Sequence, residues 1–328
     1  MTDPTTDAAP TPDRPLVTFA LFAYNQEKYI REAVEGAFSQ TYEPLEIILS
    51  DDCSSDRTFE IMQEMAATYD GPHDVKVRQG PKNLGVARHF DTLIRLSGGT
   101  FFVAAAGDDV SDPARTELSV GLAQKIKNLG FVEVKCKNFS GDFRQEQQDV
   151  KPKEDVSYKH QMFSIEDVLV GNITGLTGAG RTYRRDAYVR FSPLIEGCPA
   201  EDTPALFRCL YGGAGAFLKV QLVSRRIHDN NLSSQESLSR MNMDLLASQY
   251  YQDLDTALKI NLINNETHRK LRVRIDRYSF RKRCAIDVHS GFRGRIGLRK
   301  VLLSAYFNPR EKFYLLRKGL ISRIRGRA

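Results

Sequence analysis

Three short apolar runs, LVTFALFA (16–23), LEIILS (45–50) and FFVAAA (101–106), constrain this chain more than any other feature. None alternates apolar with polar residues, so each strand needs cover on both faces, as in the middle of a parallel sheet. Between the runs the period lengthens. Ile30, Ala33, Val34, Ala37 and Phe38 recur at helical spacing, and so do Phe59, Ile61, Met62, Met65 and Ala66. A shorter run, VKVR (75–78), precedes the turn signal GPKNLG and a helix expected to reach Leu96. This βαβα rhythm predicts an α/β fold with a mostly parallel central sheet flanked by helices.

The three long runs end in Tyr24-Asn25, Asp51-Asp52 and, after Gly107, Asp108-Asp109. Ligands of such sheets sit beyond the carboxyl ends of the strands, so these residues should share one crevice. No GxGxxG follows the first strand and no GxxxxGK[ST] occurs, which disfavours a dinucleotide dehydrogenase or a P-loop NTPase. A nucleotidyltransferase would want a glycine-rich, lysine-containing loop after the first strand, and that too is missing. Carboxylates meet a diphosphate through a metal ion, and their hard oxygens suit Mg or Mn.

Further on, residues 130–160 are polar and suggest an exposed excursion from the sheet. Ser164 to Asp167 has the pattern of a helix N-cap. GLTGAGRTYRRD (175–186) is expected to return to the sheet edge, and CPAEDTPALFRCLYGG (198–213) places Glu201-Asp202 at a helix start. A last strand within 216–233 leads to Arg225, Arg226 and His228, and beyond about 238 the chain is helical and separate in character. The expected organisation is a disordered leader (1–14), a catalytic domain (15–235) and a helical basic C-terminal region (236–328).

Hydrophobic residues form 41% of the 328, enough for a substantial core, yet no run approaches the roughly 18–20 apolar residues of a membrane span. The proline-rich, acidic start lacks the basic and apolar regions of a signal peptide. Five cysteines, an odd number without CxxC spacing, point to reduced thiols buried as small hydrophobes and to a cytoplasmic location. The net charge of +6 hides an asymmetry, because residues 269–328 carry 19 Lys and Arg against 3 Asp and Glu. In that tail Phe313, Leu316, Leu320 and Ile324 share a helical face, a pattern suited to peripheral contact with an anionic membrane surface. A helix packed on the catalytic domain with its charges solvated explains the same pattern. No nucleic-acid-binding module is recognisable.

The order YNxxxYI, DDCSSDRT, NLGVAR, GDD and AED resembles the family 2 glycosyltransferases, over roughly residues 15–230. The resemblance implies the GT-A fold and an inverting hexosyl- or deoxyhexosyltransferase of cell-surface polysaccharide synthesis. It implies a UDP-, GDP- or dTDP-sugar donor, a glycan or lipid-linked acceptor, and a divalent metal, Mn or Mg. By the same resemblance Tyr24 borders the base, Asp52 binds base or ribose, Arg88 contacts the nucleotide and Asp108 faces ribose or metal. Asp109 is the metal ligand and Asp202 the catalytic base, with Glu201 on the acceptor side. Arg225, Arg226 and His228 lie where relatives close over the diphosphate. The chain departs from the family in holding Gly107, after Ala106, where an aspartate is common.

Plainer roles remain open at this stage. Asp51-Asp52 could be a capped turn, Glu201 a helix terminus, Tyr24 packing and His228 a surface histidine, while Asp112 before Pro113 suits an N-cap. A non-catalytic nucleotide-sugar or glycan-binding protein retaining the fold is the rival to an enzyme.

Overall fold

The computed structural model describes residues 14–143, 159–173, 175–228, 231, 241–289, 297–307 and 309–325. Within helices it describes only the backbone of 285–289, 297–298 and 320–325. The expected leader therefore lies outside the described residues except for Arg14, which pairs with Glu117. So do residues 144–158 of the polar excursion and the side chains of Leu320 and Ile324.

The apolar runs become β1 (Val17–Ala23), β2 (Leu45–Asp51) and β4 (Phe101–Ala106), joined by β3 (Asp74–Gln79). All their mutual pairings are parallel, with Leu21 opposite both Leu49 and Ala105. Helices α1 (Ile30–Phe38), α2 (Thr58–Ala67) and α3 (Val86–Leu96) fill the crossovers at the expected places.

Alternate residues of β1 enter different cores, as a period of two requires. Phe19 and Leu21 join Ile30, Val34, Ile61 and Met62 on one face, whereas Ala20 joins Phe90, Leu93 and Phe102 on the other. Phe90 holds the second core together, meeting Phe102, Tyr183 and Tyr188 edge-on at 5.4–5.6 Å between ring centres. Such contacts add roughly 0.5–1.5 kcal/mol each to the burial itself.

Beyond β4 the sheet becomes mixed. The two-residue β5 (Val110–Ser111) and α4 (Arg115–Lys125) lead into β6 (Leu129–Phe139). Then come β7 (His160–Phe163), α5 (Ile165–Val170), β8 (Arg181–Arg184), α6 (Arg185–Val189), α7 (Asp202–Tyr211) and β9 (Ala214–Arg226). The nine-stranded order is β3-β2-β1-β4-β8-β6-β9-β5, with β7 beside β9.

Two expectations are corrected here. The stretch from 130 is no excursion at first: β6 runs through the sheet and buries its first six residues. β8 lies inside the sheet, antiparallel to both β4 and β6, and not at its edge. One pair of charges explains both errors. Glu133 and Arg181, which make these segments look polar, are fully buried against each other at 3.1 Å. The Ser164 cap forms as expected, with Asp167 completing a capping box.

Helices α8 (Met243–Lys259) and α9 (Asn265–His289) follow, then α10 (Gly297–Leu303) and α11 (Pro309–Arg325). Leu246, Tyr250, Leu254, Leu271 and Ile275 pack into the same core as Phe90, so α8 and α9 are joined to the sheet. A buried bidentate pair, Arg208 to Asp253 at 2.8 and 2.9 Å, ties α7 to α8. None of the helices described is long and apolar enough to cross a membrane. The five cysteines form no disulfide with one another, and Cys198, Cys209 and Cys284 are buried.

Candidate active site

The crevice forms at the carboxyl ends of β1, β2 and β4, and two tight turns shape its lip. Asn25 and Cys53 follow β1 and β2 in left-handed conformation, with φ of 52° and 64°. Asparagine tolerates that region, whereas for cysteine it costs roughly 1–2 kcal/mol. The turns are cross-linked, since the Asn25 amide donates to Ser54 Oγ (2.8 Å) and Asn25 Oδ1 accepts from the Ser55 amide (2.9 Å). Tyr24, just before Asn25, has 46% of its surface exposed, an aromatic ring offered to solvent at the lip.

Asp51 and Asp52 are both buried, and backbone amides and side chains occupy them. Asp51 accepts from the Ser54 amide (2.8 Å) and Gln79 Nε2 (2.9 Å). Asp52 accepts from the amides of Leu84 (3.0 Å) and Gly85 (2.9 Å), holding the Asn83-Leu84-Gly85 turn over the strand ends. Burial, and secondarily the charge of Asp51, raises the Asp52 pKa although those amides oppose it. Arg88, on the first turn of α3, donates to the Leu194 carbonyl at 3.2 Å and tethers that loop.

Asp108 and Asp109 follow β4 through Gly107. A Cβ on Gly107 would lie 2.4 Å from Gln26 Oε1 and 2.6 Å from the Ala23 methyl, so the backbone here excludes an aspartate. Asp109 is buried and accepts the Arg226 amide on Oδ1 at 2.9 Å. Burial and the neighbouring charge of Asp108 push its pKa up to about 7. Asp108 Oδ2 meets His228 Nε2 at 2.9 Å and Asn231 Nδ2 at 3.3 Å, while the His228 ring stacks on Tyr29. Arg226 is buried too, paired with Glu32 and bonded to the carbonyls of Gly141 and Asp108, its guanidinium against Tyr29 and Phe139. Arg225, next along the strand, is half-buried.

These groups suit a hard divalent cation. Asp109 Oδ1 is held by the Arg226 amide and Asp108 Oδ2 by His228 and Asn231, and two adjacent carboxylates in a buried site gain from a dication. Among the described residues no group of three or more His, Cys, Asp or Glu side chains is arranged to hold a metal. Such an ion would need further ligands from water or a phosphate, as Mg commonly does.

The second half of the site comes from β8 and α7. Because β8 runs antiparallel to β4, its start and the 175–180 turn lie near the carboxyl end of β4. Glu133 Oε1 accepts from the Thr177 hydroxyl (3.0 Å) and the Gly178 amide (3.2 Å), and Oε2 from Arg181 Nε (3.1 Å). Arg181 in turn donates to the Asp202 carbonyl and places Nη2 3.9 Å from its carboxylate. Asp202 spends Oδ1 on the Thr203 amide at 2.6 Å, and its side chain stays 38% exposed. Burial raises the Asp202 pKa, but Arg181 and Lys282 of α9 more than offset this and lower it. Glu201 goes the other way: burial and then the charge of Asp202 push it up to about 7. Tyr29, Asn231, Glu133, Arg181 and Lys282 carry this geometry unannounced. Only Tyr29 had a signal, its place in the YNxxxYI motif.

Two solved structures share the architecture. TarS residues 1–349 from S. aureus, in complex with UDP-GlcNAc, superposes with a TM-score of 0.53 at 14% identity, covering 94% of this chain and 92% of that one. The mannosyltransferase PcManGT from Pyrobaculum calidifontis, in complex with GDP-Man and Mn2+, gives 0.53 at 15%, covering 98% and 91%. The fold is thus the GT-A type of glycosyltransferases. The sequence profile of glycosyl transferase family 2 matches residues 18–191, more than half the chain, and the protein belongs to that family. Among curated relatives, EpsE of Bacillus subtilis, named as a glycosyltransferase, is 32% identical over 118 residues, 36% of this chain and 42% of EpsE. Chondroitin synthase of Escherichia coli is 35% identical over 124 residues, 38% of this chain and 18% of the synthase. The chain thus spans less than half the length of either relative.

Proposed function

We propose that the protein moves a sugar from a nucleoside-diphosphate sugar to an acceptor hydroxyl with inversion, in the assembly of a cell-surface polysaccharide. Family membership and the EpsE likeness support transfer, and the chondroitin synthase likeness supports the polysaccharide context. One observation carries the chemistry: the acidic pair at the start of α7 has its two pKa values driven apart. Such a split separates a group that is ionised at neutral pH from one that holds its proton until about pH 7.

In this reading Asp202, kept ionised by Arg181 and Lys282, takes the proton of the attacking hydroxyl on Oδ2. General base catalysis of this kind contributes about 10²–10⁴ in rate. A single in-line displacement with one base inverts the anomeric carbon. Glu201, its pKa pushed up to about 7, is still partly protonated beside it near neutral pH and in that form can donate a hydrogen bond to the acceptor. Asp109 and Asp108 would hold a Mn or Mg ion, whose Lewis acidity neutralises the departing diphosphate. His228 and Asn231 orient Asp108 for that task, Tyr24 packs on the base, and Asp52 and Arg88 shape the loops around the nucleotide. Arg226 is committed to Glu32 and two carbonyls, and Arg225 lies beside it on the same strand.

The test is Asp202→Asn. Transfer should fall by about 10²–10⁴ while donor affinity, read by titration calorimetry with Mn, stays within a factor of two or so. Loss of donor binding as well would remove the base assignment. A second reading, a binder that retains the fold, draws on the closed space at Gly107. Donor hydrolysis measured with and without Mn separates the two, since a binder turns over nothing.

A further inference from the structure

The α10–α11 corner exposes apolar side chains in pairs. Within α10, Val301 is buried against Cys284 and Phe307, while Leu302 and Leu303 are 44% and 74% exposed. Within α11, Leu315 packs on that small core, while Phe313 and Tyr314 are 68% and 59% exposed. Lys312 Nζ donates to the Leu302 carbonyl at 2.8 Å, which joins the two helices at this face.

The charges around these side chains are of one sign. Residues 297–318 include six bases, Arg299, Lys300, Arg310, Lys312, Arg317 and Lys318, and a single acid, Glu311. That acid pairs with Arg281 of α9 at 2.5 Å, so the corner offers solvent cations and hydrocarbon. All of the bases but Lys312 are exposed. A second copy of this face would set cations against cations, and a nucleic acid has no use for exposed leucine pairs. An anionic lipid surface matches both features, with phosphates for the bases and an acyl boundary for the apolar residues.

We propose that the α10–α11 corner docks the protein on an anionic bilayer, with Leu302, Leu303, Phe313 and Tyr314 entering the headgroup layer. Docking does not depend on the transfer reading. If both hold, α9 links them, because Arg281 braces the corner while the adjacent Lys282 adds to Arg181 in lowering the Asp202 pKa. A lipid-linked acceptor would then reach the base without leaving the surface.

The test is flotation of the full chain on phosphatidylcholine vesicles with and without roughly one third phosphatidylglycerol, at about 0.1 M salt. The chain should float with the anionic vesicles only. Leu303→Ser with Phe313→Ser, and separately Lys300→Glu with Arg317→Glu, should each lower the bound fraction about tenfold or more. These side chains are exposed, so an unchanged melting temperature confirms that the fold is intact in each variant. Equal flotation on neutral vesicles, or flotation indifferent to both pairs of changes, overturns the proposal. So does binding to nucleic acid with none to vesicles, or self-association that disappears in the Leu303→Ser, Phe313→Ser variant.

Discussion

The two halves of the crevice fix their carboxylates by opposite means. Where β1 and β2 end, the acids meet neutral donors: Ser54 and Gln79 on Asp51, the Leu84 and Gly85 amides on Asp52. Around β8 and α7 they meet a cation, since Arg181 is buried against Glu133 and bonded to the Asp202 carbonyl. Neutral donors set a carboxylate's position and leave its charge for a ligand to find. A buried guanidinium sets position and protonation together. On the donor side burial raises the Asp52 pKa and pushes Asp109 up to about 7, whereas on the acceptor side the guanidinium lowers Asp202 while its neighbour Glu201 is pushed up to about 7.

Removing one acid from each half tests that contrast. Glu133→Ala would leave Arg181 buried without its carboxylate and strip a partner from Thr177 and Gly178. Breaking a buried pair this way costs about 3–5 kcal/mol. Asp52→Ala orphans two amides, for which about 1–3 kcal/mol is expected. Chemical denaturation of the two variants should rank them in that order. Equal losses would break the comparison.

A second effect belongs to the donor half and depends on pH. His89 lies buried beneath β2, its Nε2 2.6 Å from Ser50 Oγ, and Arg78 donates to the same hydroxyl at 2.9 Å. Burial first, then the Arg78 charge, lowers its pKa from 6.5 to about 4. The unfolded chain takes up this proton below about pH 6.5, whereas the folded chain refuses it until about pH 4. Stability that His89 contributes above pH 6.5 is therefore lost as pH falls to 4, by an amount on the order of 3 kcal/mol. His89→Gln should flatten the acid limb of a melting-temperature profile between those values. An acid limb unchanged in the variant would show that other groups set it.

The same division decides what could be read from the sequence. The donor half announces itself piece by piece: each continuous apolar run, its following helical period and the acids at its end are visible in a window of their own. The acceptor half depends on partners far apart, such as Glu133 and Arg181, which are 48 residues apart in the chain and each look solvent-exposed alone. Charge complementarity across the sheet leaves no periodic trace, so β6 seemed an excursion and β8 an edge. Arg226 and Glu32 repeat the point over 194 residues. Gly107 is subtler, since its identity was plain but the closeness of Gln26 and Ala23 that requires a glycine was not.

Tyr24 provides the smallest and sharpest test, because the donor half should keep a side chain for the ligand at almost no structural cost. Nearly half exposed at the crevice lip, it contributes little to the core, and Tyr24→Ala should shift stability by no more than about 0.5 kcal/mol. Stacking of an aromatic ring on a nucleobase is worth about 1–3 kcal/mol, so nucleotide affinity should fall by roughly five- to a hundredfold. Tyr24→Phe keeps the ring and should keep the affinity, which distinguishes stacking from a hydroxyl contact. If Tyr24→Ala instead lost stability and bound nucleotide as before, the ring would be packing and the lip would belong to the fold alone.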